Sequence, residues 1–193
     1  RNTTPANSRY SAYASIYFSD SDADGRTQSS SVARCSGKVD AVRLIKQIYY
    51  SFRVAGNTQP DIHIIGHWTY PAGTKKTMYV LANTPSVELF VNGTSQGKSS
   101  KPTDTYTFSF PSIAWASGSV KAVGYDASGK QVCQDELTTA GPAAAIKLTP
   151  TVGPNGLQAD GADAAMFDVE VVDANGQRRP DDEDKIDFAI TGP

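Results

Sequence analysis

The sequence predicts a mainly β fold: immunoglobulin-like β-sandwich domains preceded by a β/α segment. Three observations lead there. Between Asp61 and Leu137, six runs of strand-forming residues follow one another, separated by turn-forming stretches. Within these runs apolar and polar residues alternate, the period of two that marks a strand with one buried face. Before them stands a run with helical spacing, where Ala41, Ile45, Ile48 and Phe52 recur at i, i+4, i+7 and i+11.

Tyr13–Phe18 is a β-prone run that leads into an acidic loop, FSDSDADGR, at residues 18–26. The helical spacing predicts a helix over Val39–Arg53, closed by Asn57 and Pro60. One strand and one helix in about 55 residues cannot bury a core alone, so residues 1–58 need a neighbour. Strands are expected at Ile62–Trp68, Lys75–Ala82, Ser86–Val91, Thr105–Phe110, Ser119–Tyr125 and Gln131–Leu137. Val87, Leu89 and Val91 alternate with Glu88 and Phe90, and Tyr106, Phe108 and Phe110 alternate with threonine and serine. Asn92–Gly93 and Asp126–Gly129 are hairpin-type turns. Together these predict a complete immunoglobulin-like sandwich over residues 59–140. Thr139–Pro142 is a small-residue linker. Residues 143–193 then read as a partial second sandwich, with alternation at Phe167, Val169 and Val171, a turn at Asp173–Gly176, and alternation again at Ile186, Phe188 and Ile190.

Charge excludes some partners. The 193 residues carry 18 basic and 20 acidic side chains, a formal charge of −2, with no arginine-rich run, so no nucleic-acid partner is expected. No apolar run approaches the roughly 20 residues that cross a bilayer, so no membrane partner is expected. The chain opens at Arg1 and stops just after a strand-like run, which predicts a fragment of a larger protein. Its cellular address is not legible beyond an expected periplasmic or secreted setting. Cys35 and Cys133 read as two unpaired thiols, since one pair makes no disulfide framework.

The acidic loop has three readings. Asp20, Asp22, Asp24 and Gly25 fit positions 1, 3, 5 and 6 of a twelve-residue calcium loop, with the Arg26 carbonyl at position 7. Position 12 is Ser31, where a bidentate glutamate is needed, and the preceding segment is β-prone rather than helical. A plain acidic turn and a substrate-facing loop are the other readings. His63 and His67 lie about 13 Å apart along a strand at ~3.3 Å per residue, too far to share a zinc ion. They read as structural histidines, and no metal site is assigned. Trp68 and Tyr70 can stack on a sugar ring or close a core; Trp115 reads as core. Asn2–Thr4 and Asn92–Thr94 match the glycosylation pattern, although the second is better explained by its hairpin. Glu88, Glu136, Glu170 and Glu183 are the only glutamates. None forms a recognisable catalytic pair, and neither a nucleophile elbow nor a phosphate loop is present. No catalytic residue and no cofactor is expected.

Several runs together carry a resemblance. Ser36–Lys46, containing GKVDAVR, Asp61–Pro71, containing IHIIGHW, and Val87–Gly93 resemble the C-terminal part of glycoside hydrolase family 2, of β-galactosidase type. Leu157–Asp163 and Val171–Gly176 resemble a further sandwich domain of the same enzymes. The resemblance implies that residues 1–58 are the β/α remnant of a TIM barrel and that the acidic loop follows a barrel strand, at the end where such enzymes bind substrate. Asp20 and Asp22 in that loop, with His67 and Trp68, are thus the candidate substrate-binding residues. The two catalytic glutamates of the family lie on earlier barrel strands and match nothing here.

The implied role is an accessory, structural part of a retaining glycosidase acting on β-linked sugars. Its partners would be the rest of the parent chain and, within the parent, carbohydrate. A non-catalytic binding or adhesion module of tandem immunoglobulin-like domains is the alternative, but it has no use for the helix. A carbohydrate-binding module would need a row of exposed aromatics along one sheet face, and only scattered ones are present.

Overall fold

The structure is a computed structural model, which describes residues 18–22, 33–100, 106–158 and 160–191. The fold is mainly β and antiparallel. The chain divides into two compact units, residues 1–58 and 59–193.

In the first unit, Ser19 pairs in parallel with Val39, and Asp20 N donates to Val39 O at 2.9 Å. The short strands β1 (Ser21–Asp22) and β2 (Ala33–Arg34) pair antiparallel. The helix α1 spans Gln47–Gly56. It starts eight residues later than the spacing predicts, and Asp40 supplies the reason. Its Oδ1 accepts from the amides of Val42 at 2.9 Å and Leu44 at 2.8 Å, and its own amide donates to Leu44 O at 2.9 Å. Such local capping competes with helix formation. Arg43 takes φ 76° at the tip of this loop, and Val39 then pairs antiparallel with Ile45. Ala41 and Ile45 therefore belong to a tight loop. The predicted run Tyr13–Phe18 is described only at Phe18, and Asp24, Gly25, Arg26 and Ser31 lie outside the described residues.

The second unit opens with a seven-stranded sandwich: β3 (Ile62–Ile64), β4 (Lys75–Ala82), β5 (Ser86–Val91), β6 (Thr94–Ser99), β7 (Thr107–Ala114), β8 (Ser119–Tyr125) and β9 (Gln131–Thr138). One sheet has the order β3-β4-β7 and the other β6-β5-β8-β9. Period-two burial in β5, β7 and β8 sends Val87, Leu89, Val91, Phe108, Phe110, Val120 and Ala122 into one core with Ile62, Ile64, Trp68, Met78 and Val80. That core explains why alternation was readable from sequence.

Three strands differ from expectation. β3 ends at Ile64 rather than Trp68, because Gly66 turns the chain at φ 98° and Trp68 leaves the sheet for the core. β6 carries no apolar alternation and is almost wholly exposed, as an edge strand fixed by the Asn92–Gly93 turn can be. β7 continues to Ala114 through Pro111, a residue tolerated there because β7 is itself an edge strand.

Beyond the sandwich, β10 (Ala145–Thr151) and β11 (Met166–Val172) pair as a two-stranded ribbon. Ile146, Leu148 and Pro150 stand opposite Val171, Val169 and Phe167. The alternation at Ile186, Phe188 and Ile190 does not yield a strand in this structure, and Phe188 and Ile190 are exposed.

Candidate functional site

Asp20 is built into the first unit by its backbone neighbours. Its Oδ1 accepts from Gly37 N at 2.8 Å, and Lys46 Nζ reaches both carboxylate oxygens at 2.9 and 3.0 Å. Lys46 Nζ also donates to Cys35 O at 2.9 Å, so one lysine ties three parts of the segment together. The Lys46 hydrogen bond, joined by the Gly37 amide, holds the Asp20 carboxyl below the ordinary carboxylate range. A carboxylate held in this way has no proton to give at neutral pH, so it suits anchoring or hydrogen-bond acceptance rather than general-acid chemistry.

Gly37 has a steric reason to be glycine. A Cβ there would fall 2.2 Å from both Asp20 N and Ser19 C, against backbone that cannot yield. Asp22 is located by its main chain, in β1 opposite Ala33.

His67 and Trp68 belong to the second unit. Gly66 turns the chain so that Trp68 enters the sandwich core with 1% of its surface exposed. Its indole N–H donates to Ala116 O at 3.0 Å, and its carbonyl accepts from Trp115 Nε1 at 3.1 Å and Thr139 Oγ1 at 2.8 Å. Of the two roles open to Trp68, this environment corresponds to core closure, because the buried ring offers no face to a sugar.

His67 is half-buried and stacks on Tyr70 with ring centroids 4.2 Å apart. Its Nδ1 accepts from Thr69 N at 3.2 Å, which places the proton of the neutral ring on Nε2. Burial, and then the neighbouring Lys76 charge, push the His67 pKa below its ordinary value. Lys76 Nζ bonds the Tyr70 hydroxyl and sits 4.2 Å from the centre of that ring. Tyr70 is thus already engaged by His67 and Lys76.

His63 faces a different partner, Asp135, with Nδ1 3.5 Å from Oδ2. The two histidines serve separate clusters. Glu88 accepts from Ser95 Oγ at 2.7 Å and Tyr125 Oη at 2.9 Å, and the ammonium of Lys98 stands 3.7 Å from the centre of the Tyr125 ring. Glu170 lies between Lys147 at 3.3 Å and Arg178 at 3.7 Å.

Each candidate is therefore placed within its own unit, Asp20 and Asp22 in one, His67 and Trp68 in the other. Sequence reasoning did not single out Lys46, Gly37 or Asp135. Gly37 lay inside the distinctive GKVDAVR run, which was a usable signal. Lys46 closed the same Ser36–Lys46 run, while Asp135 gave no signal, because its partner Ile64 is 71 residues away in the chain.

Comparison with known proteins adds the remaining information. Residues 73–133 match a family described as a domain of unknown function, DUF4982. A protein named β-glucuronidase from Formosa agariphila is 46% identical over 184 residues, covering 95% of this chain and 19% of that protein. The β-galactosidase BoGH2A of Bacteroides ovatus is 34% identical over 157 residues, covering 81% of this chain and 18% of that protein. A solved structure of a β-glucuronidase from glycoside hydrolase family 2 superposes with a TM-score of 0.78 at 47% identity, covering 84% of this chain and 17% of the other. The chain thus spans about a fifth of the length of the curated relatives it matches.

Proposed function

This chain belongs to glycoside hydrolase family 2, and on that premise we propose that it is a C-terminal accessory part of a retaining enzyme that cleaves β-linked sugars. The observation that carries the proposal is the alignment of 95% of this chain with an enzyme about five times its length. Carbohydrate substrate and the rest of the parent polypeptide are then its partners.

The division of labour follows from chemistry. Retaining glycosidases hold two carboxyls about 5–5.5 Å apart, one as acid/base and one as nucleophile. Glu88 is committed to Ser95 and Tyr125, Glu170 to Lys147 and Arg178, and Asp20 to Lys46. Glu136 is exposed on the edge strand β9, and Glu183 is exposed. Hydrolysis in the parent therefore rests on carboxylates outside this chain, and the chain braces the catalytic domain.

Residues 1–58 fit the closing β/α part of a barrel. The parallel pairing of Ser19 with Val39, followed by α1, supports this reading, since parallel neighbours and a following helix are the repeat of a β/α barrel. Asp20 and Asp22 then stand at the rim that faces substrate. The sandwich at 59–140 and the partial one at 143–193 follow it in the chain. An adhesion module leaves the parallel pairing and the helix without a role.

The relatives carry both β-glucuronidase and β-galactosidase names, so the test uses both sugars. The parent enzyme and the 193-residue chain are each incubated with aryl β-glucuronide, β-galactoside and β-glucoside. The parent is expected to turn over one of them with retention, read from the first-formed anomer by NMR. The chain alone is expected to turn over none. Turnover by the chain alone that disappears on changing Asp20, Asp22 or any of the four glutamates would overturn the accessory role.

A further inference from the structure

We infer that residues 139–141 form a fixed splint, not a hinge, and that the sandwich and the β10–β11 ribbon are locked at one angle as a single rigid spacer. From sequence this stretch is a small-residue linker, the composition of a flexible joint. The hydrogen bonds say otherwise.

On the sandwich side, Thr139 N donates to Gly118 O at 2.8 Å and Thr139 Oγ1 donates to Trp68 O at 2.8 Å. Ala140 N donates to the buried hydroxyl of Thr69 at 3.0 Å. On the ribbon side, Gly141 N donates to Asp173 Oδ2 at 2.7 Å, and Arg179 Nη1 donates to Gly141 O at 2.6 Å. One residue earlier, Thr138 Oγ1 donates to Gln177 Oε1 at 2.6 Å, and Gln177 Nε2 donates back to Thr138 O. The amides of Thr139 and Ala140 are thus claimed by the sandwich, and the next one, of Gly141, by the ribbon side.

Asp173 is the keystone of the ribbon side. It is 4% exposed. Its Oδ2 takes the linker amide, while its Oδ1 accepts from Asn175 N and Gln177 N at 2.9 Å each, inside the turn that follows β11. The same carboxylate therefore shapes the turn and fastens it to the linker. A Cβ on Gly141 would stand 3.3 Å from Asp173 Oδ2, so the approach is close as well as polar. A hinge needs main-chain groups that water can satisfy during motion; here they are paired within the protein.

Pulsed electron–electron spin resonance on the whole chain tests this. Cys35→Ser and Cys133→Ala remove the native thiols, and Ser95→Cys on β6 and Lys147→Cys on β10 carry the labels. A single narrow distance distribution is expected. Asp173→Ala should at least double its width. Thr69→Val removes the hydroxyl that takes the Ala140 amide, and it should broaden the distribution and speed exchange of that amide at least tenfold. Protected amides in β5 and β8 show that the sandwich remains folded in both variants. A broad distribution in the parent chain, or one that neither variant changes, would overturn the inference. None of these readouts depends on which sugar the parent enzyme cleaves.

Discussion

Asp135 ties the two sheets of the sandwich together, and its removal should weaken the whole second unit. The residue lies on β9, in the four-stranded sheet, while its Oδ2 accepts from Ile64 N at 2.8 Å on β3, in the three-stranded one. Ile64 itself is fully buried. Asp135→Ala leaves that amide without its carboxylate, and a hydrogen bond to a charged group is worth about 1.5–3 kcal/mol. The flanking His63 contact at 3.5 Å is looser, and the Asp135 side chain is 27% exposed, so water trims both contributions. A loss of about 2 kcal/mol follows. At roughly 3–5 °C per kcal/mol for a unit of this size, Tm falls by about 8 °C. Asp135→Asn keeps an acceptor for Ile64 and should cost about half as much. Burial raises the Asp135 pKa, but the hydrogen bonds from His63 and Ile64 outweigh it, and the net position is below the ordinary 3.8. A carboxyl depressed by folding stabilises above its unfolded pKa, and the contribution is lost as pH falls through the folded value. The gap between the unmodified chain and Asp135→Ala should therefore be present at neutral pH and close as pH falls through the folded value of the Asp135 carboxyl. Urea titration with unchanged m-values measures it. A gap under about 0.5 kcal/mol, or one that persists at the acid limit, would refute the reasoning.

Three further outcomes are expected. Gly118→Ala should destabilise the sandwich by more than about 2 kcal/mol, because Gly118 sits at φ 125° and a Cβ would lie 2.0 Å from Asn92 Oδ1; thermal melting reads it. NMR titration should find His67 below its ordinary pKa of 6.5, with Lys76→Met moving it part of the way back, since burial is the first cause and the Lys76 charge the second. Because that pKa is depressed, the His67 contribution to stability is present above the unfolded value and declines as pH falls below it. Calorimetry should detect no sub-micromolar calcium binding by the acidic loop, because Lys46 already holds both oxygens of Asp20; tight binding abolished by Asp22→Ala would contradict this.

The sandwich was legible because its physics is local. Alternation at Val87, Leu89 and Val91 and at Phe108 and Phe110 is the imprint of one buried face, and the turn at Asn92–Gly93 fixes the register between β5 and β6. The helix boundary was not legible, because Ala41 and Ile45 have the spacing of a helix face while Asp40 spends its carboxylate on the amides of Val42 and Leu44. A one-dimensional pattern reports which side chains are apolar, not which main-chain donors a neighbouring side chain has taken. β6 was missed for the complementary reason. An exposed edge strand has no buried face, so its sequence has no period to read.

The candidate site was legible only as far as residue type allows. Asp20, Asp22, His67 and Trp68 are of types that can meet sugars, and each type also has structural uses. What separates the uses is the partner, and the partners are distant in sequence. Lys46 meets Asp20 across 26 residues, and Ala116 meets the indole of Trp68 across 48. Their effects differ in kind. A carboxylate paired with an ammonium near solvent can still accept a hydroxyl from a ligand, because each oxygen has more than one lone pair. An indole that is 1% exposed, with its only donor already bonded, has nothing further to offer. The proposal of a substrate-facing rim therefore concentrates on the two aspartates, while Trp68 closes the sandwich core. Its carbonyl anchors Thr139, the first residue of the splint, so the tryptophan that fills the core also helps to set where the next strands stand.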